Sequence, residues 1–121
     1  MKLASADKPG ADVPIWDERS AVEALGGDTQ FARNLLGQIT AQLPDDLAEM
    51  QRLLANSDLQ GLAEKAHKTR GGAAYCCVTA LLDALRTLDR SARSGDPQAA
   101  DAALAAVAGE IERLRRFVDA G

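Results

Sequence analysis

The sequence predicts an all-α protein: an antiparallel four-helix bundle with a short additional N-terminal helix. Three observations carry that expectation. The 121 residues are enough for one domain with one core and too few for two of ordinary size. Hydrophobic residues make up 46% of the chain but aromatics only 3%, and most of the remainder is Ala and Leu, which suits closely packed helices better than a sandwich of strands. Apolar residues also recur at spacings of three and four over four long stretches, each bounded by Gly, Asp or Pro within a few residues.

Residues 1–13, MKLASADKPGADV, are small and polar, are broken by Pro9 and Gly10, and have no apolar period to bury; we read them as a disordered linker or appended tail before a domain at 14–121. Asp17 after Trp16 is an expected N-cap, and the short helix it opens should end at Gly26-Gly27. Asp28 should cap the next helix, where Phe31, Leu35, Ile39 and Leu43 recur at spacing four and Leu47, Met50 and Leu54 continue the apolar pattern. Pro44 lies inside it, and because the apolar pattern resumes without a polar loop, a kink is expected in preference to a break. Ser57 or Asp58 starts a third helix running to about Tyr75. A fourth, from about Thr79 to Ser94, carries Leu81, Leu85, Leu88 and Ala92 on one stripe and stops at Gly95. Asp96-Pro97 is an N-cap followed by proline at the first helical position, opening a last helix with Ala100, Leu104, Val107, Ile111, Leu114 and Val118. Short connections make the four long helices antiparallel neighbours, with the short helix as a lid.

Charge and composition exclude several functions. With 14 Lys and Arg against 18 Asp and Glu the net charge is -4, so no overall positive field recommends nucleic acid or an anionic membrane as partner. No apolar run approaches the roughly 20 residues of a membrane span. Cys76 and Cys77 are adjacent, follow no secretory signal and read as small core-facing thiols of a reducing cytosol. There is no phosphate loop of the GxxxxGK type, no glycine-rich nucleotide fingerprint and no nucleophile-elbow serine. One histidine without partnered His, Cys or carboxylate spacing makes no metal site.

That single histidine, His67, stands in the third helix just before Gly71 and Gly72, each of which costs a helix roughly 1 kcal/mol relative to Ala. At about 100° per residue the buried stripe of this helix is Leu59, Leu62, Ala66, Thr69, Ala73 and Cys76, and His67 falls about 125° away from it, on the outside. Its neighbours on that outer face, at spacings of three, four and seven, are Ala63, Glu64, Arg70, Gly71 and Ala74. Three of the five have almost no side chain, so the glycine clears a dent through which another protein's surface reaches the imidazole. Lys65, Lys68 and Arg70 surround it with cations that would favour a phosphoryl group on the ring and guide an acidic partner. Asp89 and Arg93, with Arg86, share a flank of the fourth helix that borders the same face if the two helices pack together.

The run AHKTRGGAAYCCV, residues 66–78, resembles the histidine-containing phosphotransfer (HPt) domains of bacterial phosphorelays, whose motif of His, two variable residues, Lys or Arg, then Gly is matched by His67, Arg70 and Gly71. Trp16-Asp17, Leu25-Gly26-Gly27-Asp28, Leu81, Leu88, Asp89 and Arg93 extend the resemblance over about residues 15–118. The Ala-Tyr-Cys-Cys-Val run is most similar to the C-terminal HPt domains of tripartite hybrid sensor histidine kinases of the BarA/GacS type. Gly72 stands where the family more often has Ser or Ala, and Cys77 where it often has Gly.

The resemblance implies a phosphoryl carrier in two-component signalling and not an enzyme. His67 takes a phosphoryl group from a receiver-domain aspartyl phosphate, on Nε2, and passes it to the receiver aspartate of a response regulator. Lys68 and Arg70 screen the phosphoryl charge. Ala63, Glu64, Lys65, Gly71, Ala74, Asp89 and Arg93 meet the receiver domains. No cofactor is expected on this chain, Mg²⁺ belonging to the partner receiver, and no nucleic acid, small-molecule substrate or direct membrane contact. The location is cytoplasmic, including as the cytoplasmic C-terminal domain of a membrane-bound kinase. Two alternatives stay open: a non-phosphorylated helical module that docks a receiver-like partner, and the dimerising half of a histidine kinase, which needs an ATP-binding domain this chain lacks.

Overall fold

The computed structural model describes residues 14–120, all of whose regular structure is helical: α1 (Glu18–Ala24), α2 (Thr29–Ala55), α3 (Leu59–Tyr75), α4 (Thr79–Arg93) and α5 (Pro97–Ala120). The linker expected at residues 1–13 lies outside the described residues.

Each helix begins where an acidic side chain meets free backbone N–H groups. Asp17 accepts from the Ser20 amide, Asp28 from Phe31, Asp58 from Gly61, and Asp96 from Gln98 and Ala99. The exception is α4, where Val78 holds the cap position without a side-chain bond. Four helices end on a residue with positive φ just past the C-cap: Gly26, Ser57, Cys77 and Gly95. At the ends of α1, α2 and α3 paired backbone bonds close the turn, as in Val78 N–H to Ala73 carbonyl and Cys77 N–H to Ala74 carbonyl, both 3.1 Å.

The four long helices close a ring in which α2 packs on α3, α3 on α4, α4 on α5 and α5 on α2, around a core of Leu, Val and Ala with Met50 and Ile111. In proteins most helical stability comes from packing an amphipathic face and not from propensity, so this burial is what holds them. Three of the stripes read from the sequence are the buried ones. The first half of α2 differs: Phe31 is exposed, Leu35 and Ile39 are only partly buried, and Ala32, Leu36 and Thr40 face the core. A strict spacing of four drifts about 40° per step around a 3.6-residue helix, so a line through 31, 35 and 39 cannot stay inward. The register that stays inward passes through smaller, less conspicuous residues. Pro44 leaves α2 a single element, as expected.

The chain before α1 ties down one end of the bundle. Trp16 Nε1 donates to the Cys76 carbonyl at 2.9 Å, Asp17 N–H to the Cys77 carbonyl at 2.9 Å, and Thr79 Oγ1 to the Pro14 carbonyl at 2.7 Å. Trp16 also packs edge-on against Phe117 of α5, with ring centroids 6.3 Å apart. α1 itself leans on α2, where Glu18 pairs with Arg33 at 2.9 Å. The strap at residues 14–17 closes over the α3–α4 turn, whereas α1, expected as a lid, packs on α2.

Candidate functional site

His67 lies in the middle of α3 with 67% of its side chain exposed, flanked by exposed Glu64, Lys68, Gly71 and Ala74. The two glycines have different causes. A Cβ placed on Gly71 would meet nothing within 4 Å, whereas one on Gly72 would meet Ile39 Cδ1 of α2 at 2.9 Å. Gly72 therefore permits close approach of α2 and α3, and Gly71 leaves open space one turn beyond the imidazole. A shallow groove, lined among others by Glu49 and Leu53 of α2, Glu64, Lys65 and Lys68 of α3, and Arg93 of α4, runs past His67.

Ala63 is not on this face. Expected beside His67, it is 2% exposed and part of the core. It sits two turns before Arg70, which reaches Asp89 of α4, and a bundle helix with two neighbours buries a wider arc than one stripe.

The cations are tied down to different degrees. Lys65 Nζ pairs with Asp46 of α2 at 3.1 Å, and Arg70 Nη1 donates to Asp89 of α4 at 2.7 Å. Arg93 Nε donates to the other oxygen of the same carboxylate. Arg70 is held through one nitrogen and not as a two-pronged fork, its Nε being buried without a partner. Lys68 makes no ion pair with any described residue and stays exposed. Exposed Arg86 and Arg90 extend the arginine surface along α4.

Asp89 is likewise displaced from its expected role. Predicted to meet a partner, its side chain is only 7% exposed, with Oδ2 3.7 Å from His67 Nδ1. A carboxylate this buried persists because two guanidiniums neutralise it. Of the residues expected to meet a partner, the fold brings Glu64, Lys65, Gly71, Ala74 and Arg93 to the surface around His67 and places Asp89 beneath it.

Sequence reasoning missed Asp46 and Glu49, because nothing in the linear order sets the register of α2 against α3. Among the described residues no group of three His, Cys, Asp or Glu side chains is placed to hold a metal ion, and no helix is long and apolar enough to cross a membrane. The adjacent thiols lie at the strapped end of the bundle: burial pushes Cys76 upward with help from Cys77, and burial followed by the Asp17 charge does the same for Cys77.

An exposed imidazole with a cleared approach, and beside it an ammonium that pairs with no carboxylate among the described residues, is suited to accept a group delivered by another protein. Compared with known proteins, the chain matches the family model described as Hpt domain over residues 34–117. No curated protein and no solved structure matches it.

Proposed function

Because the chain belongs to the Hpt domain family, whose members carry phosphoryl groups to and from receiver domains in two-component signalling, we propose that His67 is its phosphoryl acceptor and donor. The observation that carries this reading is the exposed His67 beside the open space at Gly71, inside the segment the family model covers. The Nε2 lone pair of His67 takes the phosphoryl group from a receiver's aspartyl phosphate, and a second receiver's aspartate takes it on. Ala74 and Gly71 form the centre of the contact. Glu64, Lys65 and Arg93 stand around it, and Lys68, which has no competing carboxylate, screens the phosphoryl oxygens. Arg70 contributes charge while fastened to Asp89. The receiver supplies Mg²⁺ and most of the transfer machinery, so this chain needs no cofactor.

In the same reading the long helices run antiparallel, as the short connections 56–58, 76–78 and 94–96 favour. The parent is a hybrid sensor histidine kinase of the BarA/GacS type, supported by the Ala74–Val78 run, and the domain works on the cytoplasmic side.

The test mixes the protein with a phosphorylated receiver and looks for acid-labile, base-stable phosphate on it. Wild type should be labelled and His67→Gln should not. Equal labelling of both would remove the reading.

A further inference from the structure

Unlike the other helices, α4 opens without a side-chain cap of its own: Val78 holds the cap position and is buried. Its first turn is capped from elsewhere in the chain. The Pro14 carbonyl accepts from the Ala80 N–H at 3.1 Å and from Thr79 Oγ1 at 2.7 Å. The end of α3 is served by the same strap, because Trp16 Nε1 and the Asp17 N–H donate to the carbonyls of Cys76 and Cys77, both at 2.9 Å. Residues 14–17 thus satisfy backbone groups on both sides of the turn that joins the histidine helix to its neighbour, and they precede the segment 34–117 that the family model matches.

What the strap fastens is weak by itself. Gly71 and Gly72 lower the helix propensity of α3 just before its end, and Cys77 holds a left-handed φ of 59° that a residue with a side chain disfavours. Beyond Arg70, which is tied to Asp89, the side chains that α3 buries are the small ones of Ala73 and Cys76. The strap is also lightly seated. Ile15 and Trp16 pack on the core only in part, and a cleft of about 420 Å³, lined among others by Trp16, Leu36, Phe117 and Val118, lies beside the indole.

We propose that residues 14–17 are a detachable clamp on the histidine hairpin, with Trp16 as its latch. Engaged, the clamp keeps the last turn of α3 helical and so holds Gly71 and Ala74 where a receiver docks; released, it lets α3 fray back toward Gly71 while the rest of the bundle holds. His67 lies a turn before Gly71, on the part of the helix that stays ordered in both states. The clamp therefore acts on docking and not on the reactivity of the imidazole. Residues before Pro14 join the domain at this strap, so a pull or a partner acting on them reaches the docking surface through these four bonds. The link to docking rests on the phosphotransfer reading, whereas the clamp itself does not.

Native-state amide hydrogen exchange tests the clamp directly. In wild type the amides of Cys76, Cys77, Val78 and Ala80 should exchange through local opening, at rates that low urea leaves unchanged, while those of buried Leu43 and Val107 exchange only on global unfolding. Trp16→Phe keeps an aromatic ring and removes the indole N–H; Thr79→Val removes the hydroxyl that Pro14 accepts from. Each should quicken exchange at the turn about tenfold, the scale of one lost hydrogen bond, and leave Leu43 and Val107 at wild-type rates. Unchanged exchange at the turn, or equal acceleration at every protected amide, overturns the proposal. Function is then read with two phosphodonors in Trp16→Ala/Thr79→Val, with circular dichroism as the folding control. Potassium phosphoramidate is small and needs no docking, so its labelling of His67 should be nearly unchanged. The concentration of phosphorylated receiver giving half-maximal transfer should rise about tenfold, as when a tenth of the molecules are competent to dock. Equal slowing with both donors, no change with either, or a double variant that does not fold overturns the proposal, the last because the strap would then be part of the core. If exchange behaves as expected but the receiver labels neither wild type nor variant, the phosphotransfer reading falls and the clamp stands.

Discussion

At the scale of single residues, His67, Gly71 and Gly72 separate function from stability. His67 is exposed and not part of the hydrophobic core, so His67→Gln should remove phosphoryl acceptance while changing stability by no more than about 0.5 kcal/mol, as read by receiver labelling and a urea melt of the same sample. The glycines should behave oppositely. Gly71→Ala adds a methyl group to open space and should gain up to about 1 kcal/mol of helix stability, whereas Gly71→Gln should gain a similar amount and block transfer by filling the approach to the ring. Gly72→Ala drives its Cβ to 2.9 Å from Ile39 Cδ1, so its helix-propensity gain should be cancelled or reversed while transfer persists. Unchanged transfer in Gly71→Gln would show that receivers dock elsewhere.

At the scale of elements, the informative feature is a repeated helix ending. The turns after α1 and α4 place Gly in the left-handed conformation, but those after α2 and α3 place Ser57 at φ 58° and Cys77 at φ 59°. A side chain there costs roughly 1–2 kcal/mol, part of which glycine's greater freedom in the unfolded chain takes back. Cys77→Gly should therefore stabilise the fold by about 1 kcal/mol or less, seen as a raised melting temperature, and Ser57→Gly should do the same independently. A fall in either would mean that the side chain makes a compensating contact. The thiols at the α3 end add a pH dependence of known sign. Both are pushed above the ordinary thiol value of 9.0, so the stability this contributes is complete below that value and is lost as pH rises through the higher values of the folded state. A denaturation series across that range should show stability falling, and Cys77→Ala should flatten part of the slope.

At the scale of the whole molecule, charge is segregated on a chain of net charge -4. Cations gather on the α3–α4 side, where Lys68, Arg86, Arg90 and Arg93 are exposed. Association with an acidic receiver should weaken as salt is added, and Lys68→Glu should reduce both the rate and its salt dependence without loss of stability. Reversing Arg70 is not an equivalent experiment. Although the sequence offers Arg70 and Lys65 alike as cations that guide an acidic partner, Arg70→Glu faces buried Asp89 with a second carboxylate and should cost roughly 3 kcal/mol, visible as a lowered melt before any effect on transfer is interpreted. Rates of all variants that coincide and ignore salt would reduce the cations to a solvated surface.

Local chemistry determined much of this protein by itself. Helix starts at Asp17, Asp28 and Asp96 and, to within one residue, at Asp58, stops at Gly26 and Gly95, the continuity of α2 through Pro44, and the outward direction of His67 all follow from capping, backbone conformation and the 3.6-residue period, which act within a turn or two of chain. What the tertiary structure alone decided concerns partners distant in sequence: that Ala63 is covered by a neighbouring helix, that α2 turns Ala32 and Leu36 inward in place of Phe31 and Leu35, that Lys65 answers Asp46, and that Asp89 lies buried between Arg70 and Arg93 beneath the histidine. The period of a helix gives the direction of a side chain about its own axis. Which charge waits in that direction depends on how far a neighbouring helix has slid and rolled, and that is set by the packing of the whole core.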